Sequence, residues 1–312
     1  YYVRLAPPEK DGGITGRVAL RNRNGETILA SALVALDFSW IVRLGLRKAT
    51  DPRVVDTIKV VDAVLKVDTP SGPVYRRYNE DGYGEYDDGR HYDGNGVGRA
   101  WPLLTGERGH LALQAGEDPL EYLHTIARCA SPGGLLPEQV WDAPAIPERF
   151  LFPGRPSGSA MPLVWAHAEF LKLLIARREG RPVELLDAVR DRYGRGAPAA
   201  KQVRWRDETP VATLAAGRTL LIEDREDFTL HFGWDGWTDV AELQASPLPF
   251  GLWGVTIDPD HCRDRKRLDF TRRYGDRWEG ENHTVAIGDA APRTLVHVGG
   301  DDPAKAPSAK PA

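Results

Sequence analysis

RAWPLLTGERGHLALQAGEDPLEYLHTIARCASPGG, residues 99–134, holds two helical segments and the turn that joins them. Helical spacing of apolar residues runs from Arg99 to Leu113. Asp118-Pro119 then places a capping carboxylate ahead of a proline at the first helical position, which opens a second helix. Pro132-Gly133-Gly134 stops it. Working outward, the same alternation of helix and loop recurs. Upstream, TILASALVALDFSWIVRLGLR (27–47) carries Ile28, Leu29, Ala32, Leu33, Leu36, Ile41, Leu44 and Leu46, mostly at helical spacing. It is predicted to be a helix buried almost all round. Asp51-Pro52 starts another, with a stripe of Val54, Val55, Ile58, Val61 and Leu65. Downstream, PLVWAHAEFLKLLIARREG (162–180) is stopped by Gly180 and Pro182. About five helices alternate with loops. Two of those loops, 74–98 and 135–159, are long, rich in polar and aromatic residues and without a period. Loops of that length inside a compact domain are usually functional.

Beyond about Ala200 the period switches from 3.6 to 2. VRWRDE, TLLIED, FTLHFGW, LWGVTID, RLDFTRRY, HTVAIG and TLVHVG are short strands separated by turn residues, the pattern of an antiparallel β-sandwich. The predicted organisation is a β arm or hairpin over 1–26, a helical domain over 27–196, the sandwich over 197–300 and a disordered tail over 301–312. The fold class is mainly α plus β. Over 312 residues, 41 basic side chains face 45 acidic ones, a balance that argues against a dedicated nucleic-acid binder. No apolar run is long enough to span a bilayer. Two cysteines, Cys129 and Cys262, fall in different predicted domains and exclude a disulfide framework. The chain opens Tyr-Tyr-Val-Arg, with neither Met nor a signal peptide, as a partial protein would.

Glu138 lies in LLPEQVWD (135–142), next to an amide and close to an indole, and is a candidate general base. Glycoside hydrolysis requires paired carboxylates, and in inverting enzymes the base activates water opposite the leaving group. The loop after residue 74 offers Arg77, Tyr78, Asp81, Tyr83 and Trp101: forked donors and carboxylates for paired hydroxyls, and flat rings for sugar faces. The alternative for such an Asp- and Gly-rich loop is helix capping or calcium, but Asp81, Asp87, Asp88 and Asp93 lack EF-hand spacing. There is no Walker A loop, Rossmann glycine fingerprint or HExxH zinc motif. Neither a metal nor a cofactor is expected.

YRRYNEDGYG (75–84), GNGVGRAWPLLTGERGH (94–110), LLPEQVWD and SGSAMPLVWAHAEFLKL (157–173), in that order, resemble glycoside hydrolase family 15, most closely its bacterial glucoamylase and glucodextranase branch. FTLHFGWDGW and RYGDRWEG look like the sandwich appended to some bacterial members. The resemblance implies a six-fold α/α barrel, of which this chain would hold a part, with the active site at the loop end. It also implies that Glu138 is the catalytic base. By the same resemblance Arg77 and Tyr78 hold the terminal glucose, and Asp81, Trp101 and Trp141 line the pocket. The substrate would be an α-glucan or gluco-oligosaccharide, and the parent enzyme extracellular or periplasmic. The family's general acid precedes the segment present here. The resemblance therefore implies a partial chain, inactive alone, whose partner is the missing N-terminal half of the enzyme. The competing expectations are a non-catalytic carbohydrate-binding protein and a family member acting on trehalose or α-1,6-glucan.

Overall fold

The computed structural model describes residues 1–8, 11–193 and 202–288. The strand expected at 294–299 and the tail at 301–312 lie outside the described residues. The chain divides into two compact units, Tyr1–Ala199 and Ala200–Ala312, one dominated by helices and the other by sheets, so the fold is α plus β.

The first unit is organised on α3 (Pro102–Gln114), in which every side chain from Pro102 to Ala112 is buried. It packs against α1 (Ser39–Arg43), α4 (Leu120–Arg128) and α5 (Val164–Glu179). Two glycines one turn apart make this close approach possible. A Cβ on Gly106 would stand 2.7 Å from Glu169 Cγ, and one on Gly109 would stand 2.7 Å from Leu173 Cδ2 and 3.0 Å from Tyr122 Cβ. α2 (Pro52–Val64) begins as its sequence predicts: the Asp51 carboxylate accepts from the Arg53 N–H, and Pro52 occupies the first position. It is followed by a tight hairpin, β3 (Lys66–Thr69) and β4 (Gly72–Tyr75), which delivers the chain to the long loop. The capped start at Asp118 and the stop at Gly180, φ 69°, are also present.

The segment 27–47 departs from expectation. Only Ser39–Arg43 is α-helical; β1 (Arg17–Ala19) pairs antiparallel with β2 (Thr27–Leu29), and Ala30 to Phe38 forms tight turns and extended backbone. The physical reason lies in where the backbone groups go. Asn79 accepts from the Val34 N–H at 2.8 Å and donates to the Ala32 carbonyl at 2.8 Å. Leu33, Val34, Ala35 and Leu36 are all buried. A continuous apolar run buried on every side has no period, so it cannot distinguish helix from extended chain. A sixth helix, α6 (Asp187–Tyr193), adds to the five that the sequence predicts. Among the described residues no helix is long and apolar enough to cross a membrane.

α3 also brings charge into the core. Glu107 accepts from Ser39 Oγ at 2.9 Å, while Arg43 bonds Glu169 at 2.8 Å and Glu184 at 2.8 Å. Burial, reinforced by the like charge of Glu169, raises the Glu107 carboxyl to about 7. A raised acid binds its proton more tightly in the folded state. The penalty is therefore absent below the ordinary carboxyl range, grows through pH 5 to 7 and is complete above about 7. Glu107→Gln keeps the bond to Ser39 and removes that penalty. It is expected to raise urea-unfolding stability by about 2–3 kcal/mol at pH 8, with the gain vanishing near pH 4.5. An equal gain at both pH values would contradict the assignment.

The second unit pairs two sheets over one core. The four-stranded sheet has the order β10 (Ser246–Leu248), β11 (Leu252–Ile257), β7 (Thr219–Asp224), β5 (Gln202–Trp205). The other has the order β6 (Thr213–Leu214), β14 (His283–Ile287), β12 (Arg267–Tyr274), β8 (Thr229–Trp234), β9 (Thr238–Gln244), with β13 (Arg277–Trp278) on β12. Trp205, Leu220, Ile222, Val255 and Ile257 of the first sheet share one buried cluster with Leu230, Phe232, Leu268, Phe270 and Val285 of the second. The expectation of a wholly antiparallel sandwich needs correction, because β5 pairs with β7, and β6 with β14, in parallel. The chain leaves β5, adds β6 to the edge of the opposite sheet and returns as β7 beside β5. Such a crossover forces the same direction on both neighbours.

Candidate functional site

A cleft of about 760 Å³ opens between the two long loops of the first unit, and Glu138 lies in its wall. The backbone that carries Glu138 is extended and held on both sides. The Glu138 N–H donates to the Ala160 carbonyl at 2.8 Å, the Val140 N–H to Ala100 at 2.9 Å and the Trp141 N–H to Arg155 at 2.9 Å. Gln139 is buried, and its side-chain amide donates to the Tyr83 carbonyl at 2.9 Å, tying the two loops together. Gly84 permits this contact, because a Cβ there would meet Gln139 Oε1 at 2.9 Å and the Val97 carbonyl at 2.3 Å. Tyr83 completes the arrangement: its hydroxyl donates to Glu138 Oε2 at 3.2 Å. Burial and the Glu138 carboxylate raise the Tyr83 hydroxyl above the usual phenol range, so it stays a donor.

The Arg77 guanidinium lies 4.9 Å from the centre of the Tyr83 ring and 5.1 Å from that of Trp101. Its Nε and Nη2 both donate to Asp81, at 2.8 and 2.9 Å. The buried Asp81 carboxylate also accepts from Asn22 at 2.7 Å and from the Tyr83 N–H at 3.0 Å. The fork of Arg77 is thus occupied by Asp81, and what it can offer a ligand is its outer edge and charge. Tyr78 is buried and bonded to Asn22. Trp101 is buried too, and its indole N–H has no partner among the described residues.

Of the seven residues singled out in the sequence, six form a connected group: Arg77, Tyr78, Asp81 and Trp101, with Tyr83 bridging to Glu138. Trp141 does not join them. It is fully buried, its indole N–H donates to the Pro144 carbonyl at 2.7 Å, and Arg99 covers its ring at 4.1 Å. The resemblance puts Trp141 in the pocket lining, whereas the structure puts it in the core. The structure gives specific places in the site to three side chains. Tyr83 engages the Glu138 carboxylate directly. Glu85 is buried in the cleft wall, with Oε1 on the Gly158 N–H and Oε2 without a partner among the described residues. Phe150 lines the cleft with 82% of its surface exposed and a left-handed backbone, φ 58°. An exposed ring in a cleft that also holds a carboxylate is suited to a flat apolar ligand face.

One cluster elsewhere has the residue types of a metal site. Asp207, Glu279 and His283 of the second unit place their ligand atoms within 4.8 Å of one another. The cation there is Arg272, whose buried guanidinium bonds both Asp207 and Glu279.

No family model matches the chain. The glucoamylase of Clostridium sp. (strain G0005) is 40% identical to it over 194 residues, 62% of this chain and 26% of that protein. Over that span the chain is similar to a glucoamylase. The crystal structure of a bacterial glucoamylase complexed with acarbose matches with a TM-score of 0.55 at 40% identity, covering 62% of this chain and 27% of that one. The chain therefore spans about a quarter of the length of the glucoamylases it matches. Glycoside hydrolase family 15, the glucoamylase type, is thus the family to which its sequence is similar.

Proposed function

We propose that the first unit is the base-bearing portion of a glucoamylase-type glycoside hydrolase that inverts configuration and releases glucose from the ends of α-glucans. The observation that carries this reading is the 40% identity to a clostridial glucoamylase in a chain whose Glu138 carboxylate opens into a cleft. The acarbose held by the related structure is an oligosaccharide mimic and supports a gluco-oligosaccharide ligand.

The chemistry follows from the local bonds. Inverting hydrolysis needs one carboxylate to deprotonate water while a second, about 6.5–9.5 Å away, protonates the leaving oxygen. Glu138 Oε2 is engaged by the Tyr83 hydroxyl, and no protein donor among the described residues is bonded to Oε1. Oε1 is then the oxygen that takes the proton from water. Tyr83 fixes the carboxylate's orientation, and Gln139 fixes Tyr83 through its carbonyl. Arg77, held flat by Asp81, lies over the Tyr83 ring, where the charge of its outer edge would meet sugar hydroxyls.

In this reading the helices are part of a six-fold α/α barrel completed by helices from the remainder of the enzyme. One surface supports it. α5 exposes Val164, Trp165, Leu171, Leu174 and Ile175 while burying Ala166, Glu169, Leu173 and Ala176 on α3's side. A helix apolar on both faces belongs inside a larger core.

The test is a chimera in which the matched portion of this chain replaces its counterpart in the clostridial glucoamylase. It is expected to hydrolyse maltotriose. In the same chimera Arg77→Lys keeps the charge but not the planar pair of bonds to Asp81, and should raise KM about tenfold. A folded chimera without turnover would refute the catalytic reading and leave a carbohydrate-binding one. Unchanged KM and kcat in Arg77→Lys would make Arg77 a loop-structuring residue.

A further inference from the structure

The outer face of the six-stranded sheet carries two indoles that the core does not use. Trp278, on β13, is 49% exposed, whereas Trp234 on the same sheet is buried in the core. Trp237 reaches that face by an unusual path. A bulge between Phe232 and Trp234 disturbs the pairing of β8 with β9, and the turn that follows puts Trp237 at φ 67°. A left-handed backbone is a costly conformation for a bulky side chain and is kept where its surroundings determine it. Gly233 gives the turn room, since a Cβ there would lie 3.0 Å from Trp237 Cα. The two rings flank His231. Trp237 stacks on it at 5.7 Å with planes 28° apart, and Trp278 meets it edge-on at 5.4 Å.

The polar groups among these rings are paired with one another. Glu242 bonds His231 Nδ1 at 3.1 Å through one oxygen and Arg273 Nη2 at 3.0 Å through the other. Arg273 in turn lies over the Trp278 ring at 5.6 Å. A protein interface would show a continuous apolar centre, but here each indole is bordered by hydrogen-bonding groups. The carboxylates of Glu242 and Asp239 on β9 disfavour a phosphate backbone. Flat apolar rings beside neutralised donors and acceptors fit a neutral, hydroxyl-rich ligand with C–H faces.

We propose that this face is a second carbohydrate site, separate from the cleft, on which Trp237 and Trp278 stack against sugar rings while His231, Glu242 and Arg273 bond their hydroxyls. The choice of an α-glucan as the ligand rests on the function proposed for the first unit.

The experiment is native electrophoresis of the 312-residue chain through gels containing soluble starch, hydroxyethyl cellulose or no polysaccharide. The wild-type chain should be retarded by starch. Trp278→Ala, at an exposed side chain, should weaken that retardation about tenfold, and Trp278→Phe should keep most of it. Trp237→Ala should act like Trp278→Ala. Equal retardation of wild type and both alanine variants, or none for wild type, would overturn the site. Retardation by hydroxyethyl cellulose alone would overturn the α-glucan assignment. Maltotriose turnover by the chimera tests the cleft independently, so the two readings fail separately.

Discussion

Glu138→Gln, introduced into the chimera with the clostridial glucoamylase, is expected to lower kcat on maltotriose by about 10²–10⁴-fold. Gln has the shape of Glu and can still accept from the Tyr83 hydroxyl, so the cleft should stay intact. What it loses is the ability to take a proton from water, the step that sets the barrier in inverting hydrolysis. KM should therefore change little while kcat falls. Retention of more than about a tenth of the activity would remove Glu138 from that role. Tyr83→Phe makes a graded companion. It leaves the carboxylate but frees its Oε2, so kcat should fall less than in Glu138→Gln, since hydrogen bonds to charged groups are worth about 1.5–3 kcal/mol.

The 312-residue polypeptide alone is expected to release no measurable glucose from maltose or soluble starch. A positioned acid contributes about 10²–10⁴-fold, and none of the carboxylates near the cleft is placed to supply it. Glu107 is enclosed in the helical core against Ser39, and Glu148 is exposed outside the cleft lining. Glu85 is the serious substitute, because it shares the cleft wall with Glu138. Its Oε1, however, is bonded to the Gly158 N–H, which ties it to the same 156–161 wall that holds Glu138. An acid must approach from across the scissile bond. Glucose release by the isolated chain, abolished by Glu85→Gln, would overturn this and make Glu85 the acid.

Much of the helical unit was legible because local chemistry and burial agree there. Asp51-Pro52, Asp118-Pro119 and Gly180 mark helix ends by hydrogen bonds and backbone angles that hardly depend on tertiary context. Residues 27–47 were not legible, because Asn79, far along the chain, takes the backbone groups a helix would use. α6 and β9 are not legible for another reason: Asp187–Tyr193 has no buried side chain, and every residue of β9 is exposed. Neither carries a periodic apolar face. In the site, the motif around Glu138 is readable, but its Trp141 is core and not pocket lining. Positions 138 and 141 are three apart on an extended backbone, so their side chains point to opposite sides. Tyr83 lay within a run of tyrosines and glycines, and nothing local distinguishes the one whose hydroxyl meets a carboxylate 55 residues away.

The most direct measurement is nucleophile rescue of Glu138→Ala in the chimera, with the product's anomeric configuration read by proton NMR. Azide is already a nucleophile and needs no base, so it can replace the water that Glu138 activates. If Glu138 is the base of an inverting site, azide should restore turnover of an α-glucosyl substrate with a good leaving group and yield β-glucosyl azide. Turnover unaffected by azide, or α-glucosyl azide as the product, would contradict the account.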